Sequence, residues 1–526
     1  MHFDTHDQLV LVALLIGLAT LLIAAPVFRI PYPIFLVLGG LALGFVPGVP
    51  NLELPPDVVL VAVLPPLLYT TAFFTPLREL RANARAIGVL AVGLVLATTL
   101  TVALVAHAAV DGMSWAAAFA LGAIVAPTDP LAATAIMRRL GVPRRLVSII
   151  ESESLVNDGT ALVLYRVAVV AAVSGEFSVW DASWRLVWSV VGGVGIGLVA
   201  GFLIAAVRRR LHNPPVEVTI SLMTGYLAFI PASAAEASGV LAVVTAGVYL
   251  GWRTPELTSV QTRLQGVAVW GIIVFVLNAL LFALVGLQLS SILDSLTGIP
   301  PSELVTYALL VTGTVIVTRI VWLPFFTHLP YWLHGQPRGK PFSQSFLISW
   351  AGMRGAVSLA AALAIPLTTD AGTAFPERDL IIFLTFCVIL GTLVVQGLTL
   401  PGLIRMFHIQ RDDGEEREDA EARIRAADAA LARIDELAAE DWVREDTAER
   451  MRGLYRFRQS RFSSRFDGES DGAVEEQSQA YQRLRRELLD AERAAIVQLG
   501  RDGAISGDVV NRVVRDLDLE DARLDV

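Results

Sequence analysis

Thirteen apolar runs of about 16 to 27 residues recur along a chain of 526. Each is long enough to cross a hydrocarbon core of roughly 30 Å, the shorter ones by tilting or by thinning the bilayer. They lie near 8–28, 31–46, 57–74, 85–108, 115–138, 147–173, 184–207, 216–231, 237–252, 264–288, 303–327, 344–367 and 379–404. A hydrocarbon interior offers no water to backbone N–H and C=O groups, so the expected fold is an all-α polytopic membrane protein. A composition of 54% hydrophobic and 17% charged residues, with a mean hydropathy of +0.60, supports that class and gives no basic surface for nucleic acid. No basic residue precedes the first run, so a cleaved signal peptide is not expected. The single cysteine, Cys387, excludes an internal disulfide framework and a cysteine-based metal cluster.

Charge orients the runs, because basic residues are retained on the cytoplasmic side. Every second loop is basic: Arg29, then Arg78, Arg81 and Arg85, then Arg138, Arg139, Arg144 and Arg145. Arg208 to Arg210, Arg253 with Arg263, and Arg338 with Lys340 continue the series. These loops hold fifteen basic residues, against two, Arg185 and Arg378, in the alternate loops. With an odd number of spans this predicts an external N-terminus and a cytoplasmic C-terminus. Residues 1–404 carry 20 basic and 20 acidic residues and 405–526 carry 21 and 30, so the net charge of -9 resides in the tail. Apolar positions recur at helical spacing over Asp419–Glu440, Asp446–Tyr455 and Ala480–Leu499, with a Ser/Gly/Asp-rich hinge at Ser463–Gly472. The expected domains are therefore a transmembrane part, 1–404, and an acidic helical tail, 405–526, available to contact its own core or a cytoplasmic regulator.

Two spans are interrupted at their centres. The fifth contains Ala126-Pro-Thr-Asp-Pro130, where Pro127 and Pro130 remove backbone donors, and the twelfth contains Gly352-Met-Arg-Gly355. Spans seven apart cross in opposite directions, the pattern of an inverted repeat in which spans 1–6 match 8–13. Paired broken helices in such repeats mark a transport site.

Counting helix rise from the cytoplasmic ends puts Asp129 roughly 12 Å, Arg354 roughly 15 Å and Asp158 roughly 16 Å into the membrane. Ionisable groups at that depth are costly and are kept for a task. On the sixth span, Ser154 and Asp158 are four apart and share a face. Glu153 and Asn157 share another, about 100° away. The first pair offers hard oxygens to a cation, helped by unwound carbonyls at 126–128, and Asp129 can face the N-terminus of the half-helix behind it. The second pair is expected to meet Arg354. Arg319, in the eleventh span, is expected to have a partner in the same core, and Asn278 and Gln288 to make interhelical hydrogen bonds. Burial disfavours the charged form of a carboxylate and a bound cation favours it, so proton and cation compete for Asp158. If only the occupied site reorients, competition enforces exchange. These residues leave a cation channel open as an alternative. An intramembrane enzyme is disfavoured by the absence of His-Glu-x-x-His and Gly-x-Gly-Asp patterns, and the one Gly-x-Ser-x-Gly match, Gly468–Gly472, falls in the hinge of the tail and not in a span.

Four stretches, in order, carry a resemblance: Leu64-Pro-Pro-Leu-Leu-Tyr69, Ala126-Pro-Thr-Asp-Pro130, the Glu-Ser-Leu-x-Asn-Asp-Gly core of Glu151–Tyr165, and Gly352-Met-Arg-Gly-Ala-Val-Ser358. Over about residues 8–405 the chain resembles the sodium/proton exchanger family of monovalent cation/proton antiporters. The resemblance implies a thirteen-span homodimer in the cell membrane, serving pH and sodium homeostasis without a cofactor. It implies a dimerisation part at about 8–74 and 216–288, and a core at about 85–173 and 303–404 that moves like an elevator. It makes Asp158 the carrier of cation and proton, completed by Ser154, Asp129 and Thr128, with Asn157, Glu153 and Arg354 as supporting network. An asparagine before the aspartate implies electroneutral exchange. Na+ is the expected cation, with Li+ and K+ not distinguished. Thr70 stands where many members place an acid, which removes a third carboxylate near the site.

Overall fold

A computed structural model of the chain describes residues 16–46 apart from 18, 26 and 28–30, then 58–174, 179–289, 292, 293, 296, 298–334, 342–409, 414–463 and 473–522. Arg29, Arg338, Lys340, the Pro47–Pro56 loop and nearly all of the Ser463–Gly472 hinge lie outside these residues. The chain divides into two compact units, Met1–Arg411 and Asp412–Val526.

In the first unit the described part of every apolar run is helical apart from its ends and the central breaks of the fifth and twelfth. Among the described residues, seven helices are long and apolar enough to cross a membrane: Ala84–Ala109, Arg144–Ser174, Trp184–Arg208, Pro214–Ala234, Val260–Leu284, Pro301–Phe326 and Arg378–Met406. Tyr32–Gly44, Val61–Phe74 and Trp115–Val125 are shorter apolar helices. Among the described residues the only extended pairing is an isolated antiparallel bridge between Thr368 and Ala374.

The fifth run is split as its prolines require. Ser114 caps the helix Trp115–Val125 by accepting from the Ala117 amide at 3.2 Å, the chain unwinds over 126–130, and a second helix runs Leu131–Arg139. Gly141, at φ +68°, closes that helix while the Val142 amide donates to the Met137 carbonyl at 3.0 Å. The tight turn sends the chain straight into the 31-residue helix Arg144–Ser174, which carries Asp158 back to the cavity that Asp129 also lines. The twelfth run is likewise two short helices, Phe342–Trp350 and Ala356–Leu363. Among the described residues, three wide π-helical turns, at Val58–Val63, Val89–Leu94 and Thr392–Gln396, interrupt neighbouring helices.

Packing sorts the helices into two sets. Tyr32–Gly44 lies against Val260–Leu287, while Val58–Phe74, Pro214–Ala234 and Gly239–Leu257 pack together. Gly40 and Gly286 allow the first contact, since a Cβ on either would strike the other helix's backbone. The second set joins Ala84–Ala109, Trp115–Val125, Arg144–Ser174, Pro301–His334 and Arg378–Gly391.

In the second unit, helices Gly414–Leu437 and Glu445–Ser463 pack together, tied by a 2.7 Å bond from Gln459 Nε2 to Asp428. Ala473–Arg501 pairs with Gly507–Ala522, the latter unforeseen from sequence, through Arg493–Asp518 at 2.9 Å.

Candidate ion site

The two unwound stretches meet. The Asp129 amide donates to the Met353 carbonyl at 2.8 Å, so one helix break supplies the partner that the other break lacks. The half-helix ends are compensated by charge. Asp129 Oδ1 accepts from the Leu131 amide at 2.9 Å, at the positive start of Leu131–Arg139, as its position in the sequence predicts. Arg354 Nε donates at 2.9 Å to the carbonyl of Val125, the last residue of Trp115–Val125, and Nη1 donates to the Gly352 carbonyl. Arg319 does the same for the other broken helix, donating to the Ser349 carbonyl at 3.0 Å and the Ile348 carbonyl at 3.2 Å. Guanidinium groups thus sit at the C-terminal ends of both broken helices, where the dipole favours cations.

Both glycines of Gly352-Met-Arg-Gly355 are explained by this arrangement. A Cβ at Gly352 would overlap the Arg319 guanidinium, and one at Gly355 would overlap the Asp129 carboxyl. The loop has no side chains there because charged groups occupy the space.

Asp129, Ser154, Thr128 and Asp158 line one cavity of about 80 Å³, enough for several water molecules or a partly hydrated ion. Ser154 and Asp158 share its wall, as their four-residue spacing predicts. The Asp158 side chain is buried, and among the described residues no donor reaches its carboxylate. Ser154 Oγ donates to the Thr128 carbonyl at 2.8 Å, so that carbonyl is not idle as the unwound backbone alone suggests, though a second lone pair remains.

The scaffold face differs from expectation in its partner. Glu153 pairs with Arg319, not Arg354: Arg319 Nη2 donates to Glu153 Oε2 at 2.8 Å, and Nη1 also contacts Oε1. All of these side chains are buried. The sequence places Glu153 at the right depth and on the right face, but the rotation of the eleventh helix, which decides the partner, leaves no mark in residue spacing. Arg354 keeps a supporting role through helix ends, and its amide donates to Thr392 Oγ1 at 3.1 Å, at the start of the π turn in the last span. Asn157 Nδ2 donates to Thr128 Oγ1 at 2.8 Å, and that hydroxyl donates on to Glu153 at 3.4 Å. Thr128 therefore joins the scaffold face to the cavity.

Other expectations are also refined. Asn278 does not make the interhelical hydrogen bond expected of it. It is buried, lines the cavity, and neither side-chain heteroatom has a partner among the described residues. Ser358, which lies just after the Gly352–Gly355 break, also lines the cavity, and its hydroxyl has no partner among the described residues. Thr70 turns its hydroxyl back to the carbonyls of Pro66 and Leu67 at 3.0 and 2.8 Å; its neighbour Thr71 lines the cavity instead. Glu151 lies outside this centre, in an ion pair with Arg138 at 2.8 Å with both side chains partly exposed.

Comparison with known proteins gives the family. A "Sodium/hydrogen exchanger, transmembrane" family model matches residues 10–405. An uncharacterized Na+/H+ exchanger of Mycobacterium tuberculosis is 36% identical over 525 residues, covering 98% of this chain and 96% of its own. A sodium, potassium, lithium and rubidium/H+ antiporter of Bacillus subtilis is 36% identical over 385 residues, 71% of this chain and 57% of that one. The structure of the sodium proton antiporter MjNhaP1 from Methanocaldococcus jannaschii superimposes with a TM-score of 0.61 at 19% identity, over 76% of this chain and all of that one, which establishes likeness of fold. The chain is therefore a multi-pass membrane protein of the sodium/hydrogen exchanger family, whose members are antiporters and not enzymes.

Proposed function

We propose that this protein exchanges a monovalent cation for a proton, one for one, with Asp158 as the carrier of both. The observation that carries the reading is the cavity in which a buried Asp158 carboxylate, without a donor among the described residues, faces Asp129, Ser154 and Thr128. Such a carboxylate needs a counter-ion, and a proton or a cation can serve but not both. Asn157 donates to the Thr128 hydroxyl and adds no charge, while Glu153 is already neutralised by Arg319, so one mobile negative charge is left per cycle beside a fixed Asp129. This favours electroneutral exchange. Na+ is the cation proposed. The Bacillus subtilis relative, named for four alkali cations, supports Li+ and K+ as competitors and a K+/H+ antiporter as the second reading.

The proposed architecture is thirteen spans in two inverted repeats, external N-terminus, cytoplasmic tail, and a homodimer formed by the set around Val260–Leu287. The direct contact between the two helix breaks and the sorting of the helices into two packed sets support that division and an elevator movement of the ion-site set. Exchange of this kind would serve pH and sodium homeostasis. In everted membrane vesicles, Na+ should dissipate an imposed pH gradient, with no response to clamping the membrane potential, and Asp158→Asn or Asp129→Asn should remove the effect. Full exchange by Asp158→Asn would overturn the mechanism.

A further inference from the structure

A second cavity, of about 660 Å³, shares no lining residue with the ion site. It is walled by the ends of several helices, and four arginines line it: Arg78, Arg81, Arg208 and Arg263. No Asp or Glu does. Arg78, Arg81 and Arg263 are exposed, and Arg263 Nη1 donates to the Thr258 carbonyl at 2.7 Å. Arg208 is only 3% exposed. Its Nε and Nη1 have no hydrogen-bond partner, and it forms no ion pair among the described residues. A guanidinium buried in this way is strongly penalised unless an anion meets it.

The rest of the wall tells what kind of anion. Phe74, Trp252, Val267 and Trp270 supply an apolar side, and Phe74, Trp252 and Val267 are 49%, 57% and 59% exposed. The cavity therefore opens onto the apolar outer surface of a membrane protein, with tryptophan at the mouth, the residue favoured at the headgroup level. A small soluble anion would use the arginines and leave the apolar side wet. A diacyl phosphate uses both, and basic pockets between spans are suited to such headgroups. We propose that this cavity binds the phosphate headgroup of an anionic phospholipid, held by buried Arg208 with Arg78, Arg81 and Arg263 around it. The proposal rests on the protein being in a membrane and is independent of the ion-site reading.

Native mass spectrometry of the delipidated full-length protein, titrated with phosphatidylglycerol, phosphatidylethanolamine or inorganic phosphate, tests it. Phosphatidylglycerol should bind in clear preference to phosphatidylethanolamine, and Arg208→Gln should weaken it at least tenfold. Arg78→Gln with Arg81→Gln, both at exposed positions that spare the fold, should weaken it about tenfold. Equal binding of the two lipids, or unchanged phosphatidylglycerol affinity in the double variant, would overturn the proposal; the latter is also the result expected if the acidic tail fills the cavity. Displacement of the lipid by millimolar inorganic phosphate would assign the site to a soluble anion instead.

Discussion

Asp158 and Glu153 lie five residues apart and are both buried, yet their environments make them opposites. Glu153 has a fixed cation, Arg319, and is expended on structure; Asp158 has no protein donor among the described residues and remains available to cargo. Removing one member of a buried pair strands the other, at about 3–5 kcal/mol. Arg319→Gln should therefore lower thermal stability sharply, and adding Glu153→Gln should recover much of the loss; a double variant no better than the single one would separate the two side chains energetically. Asn157→Asp tests the charge count, since it adds a carboxylate beside Thr128: exchange should become sensitive to membrane potential, measured in proteoliposomes under a potassium diffusion potential. The sequence exposed these residues well because depth and helical face follow from counting. The identity of Glu153's partner did not follow, since Arg319 and Arg354 are alike in type and depth and differ only in how two distant helices are rotated. Asn278 was illegible for a related reason: an amide in a span reads as a helix-to-helix bond until the cavity it faces is known.

At the scale of elements, the two broken helices form one device. Each break leaves backbone groups without helical partners, and the Asp129 amide and Met353 carbonyl satisfy one another across the gap. Arg354 and Arg319 meet the negative ends and Asp129 a positive one. The prolines and glycines announced both breaks in the sequence; of the π turns, Val58–Val63 runs into Pro65 and Pro66 and Val89–Leu94 contains Gly93, but neither feature distinguishes a wide turn from an ordinary kink. Gly355→Ala should displace Asp129 and Gly352→Ala should displace Arg319, since a Cβ at either position overlaps the charged group. Overpacking of this kind costs about 1–3 kcal/mol, and the expected result is at least a tenfold fall in exchange rate with the protein still inserted in the membrane. Retention of full transport by Gly355→Ala would show that Asp129 tolerates displacement.

For the whole molecule, the apolar runs made the all-helical membrane class legible; the chain divides into two compact units between Arg411 and Asp412. A chain ending at Arg411 should retain cation/proton exchange in vesicles, whereas loss of exchange with normal membrane insertion would make the tail part of the transport machinery. Under the proposed mechanism a proton and a cation compete for Asp158, and coupling follows without any further gate. The most direct test is the apparent KM for Na+ as a function of pH in proteoliposomes. KM should rise with falling pH, approaching about tenfold per unit once the site is mostly protonated, while the maximal rate at saturating Na+ is unchanged, as for one proton competing at one site. A KM that stays flat across the pH range while the maximal rate changes would contradict it.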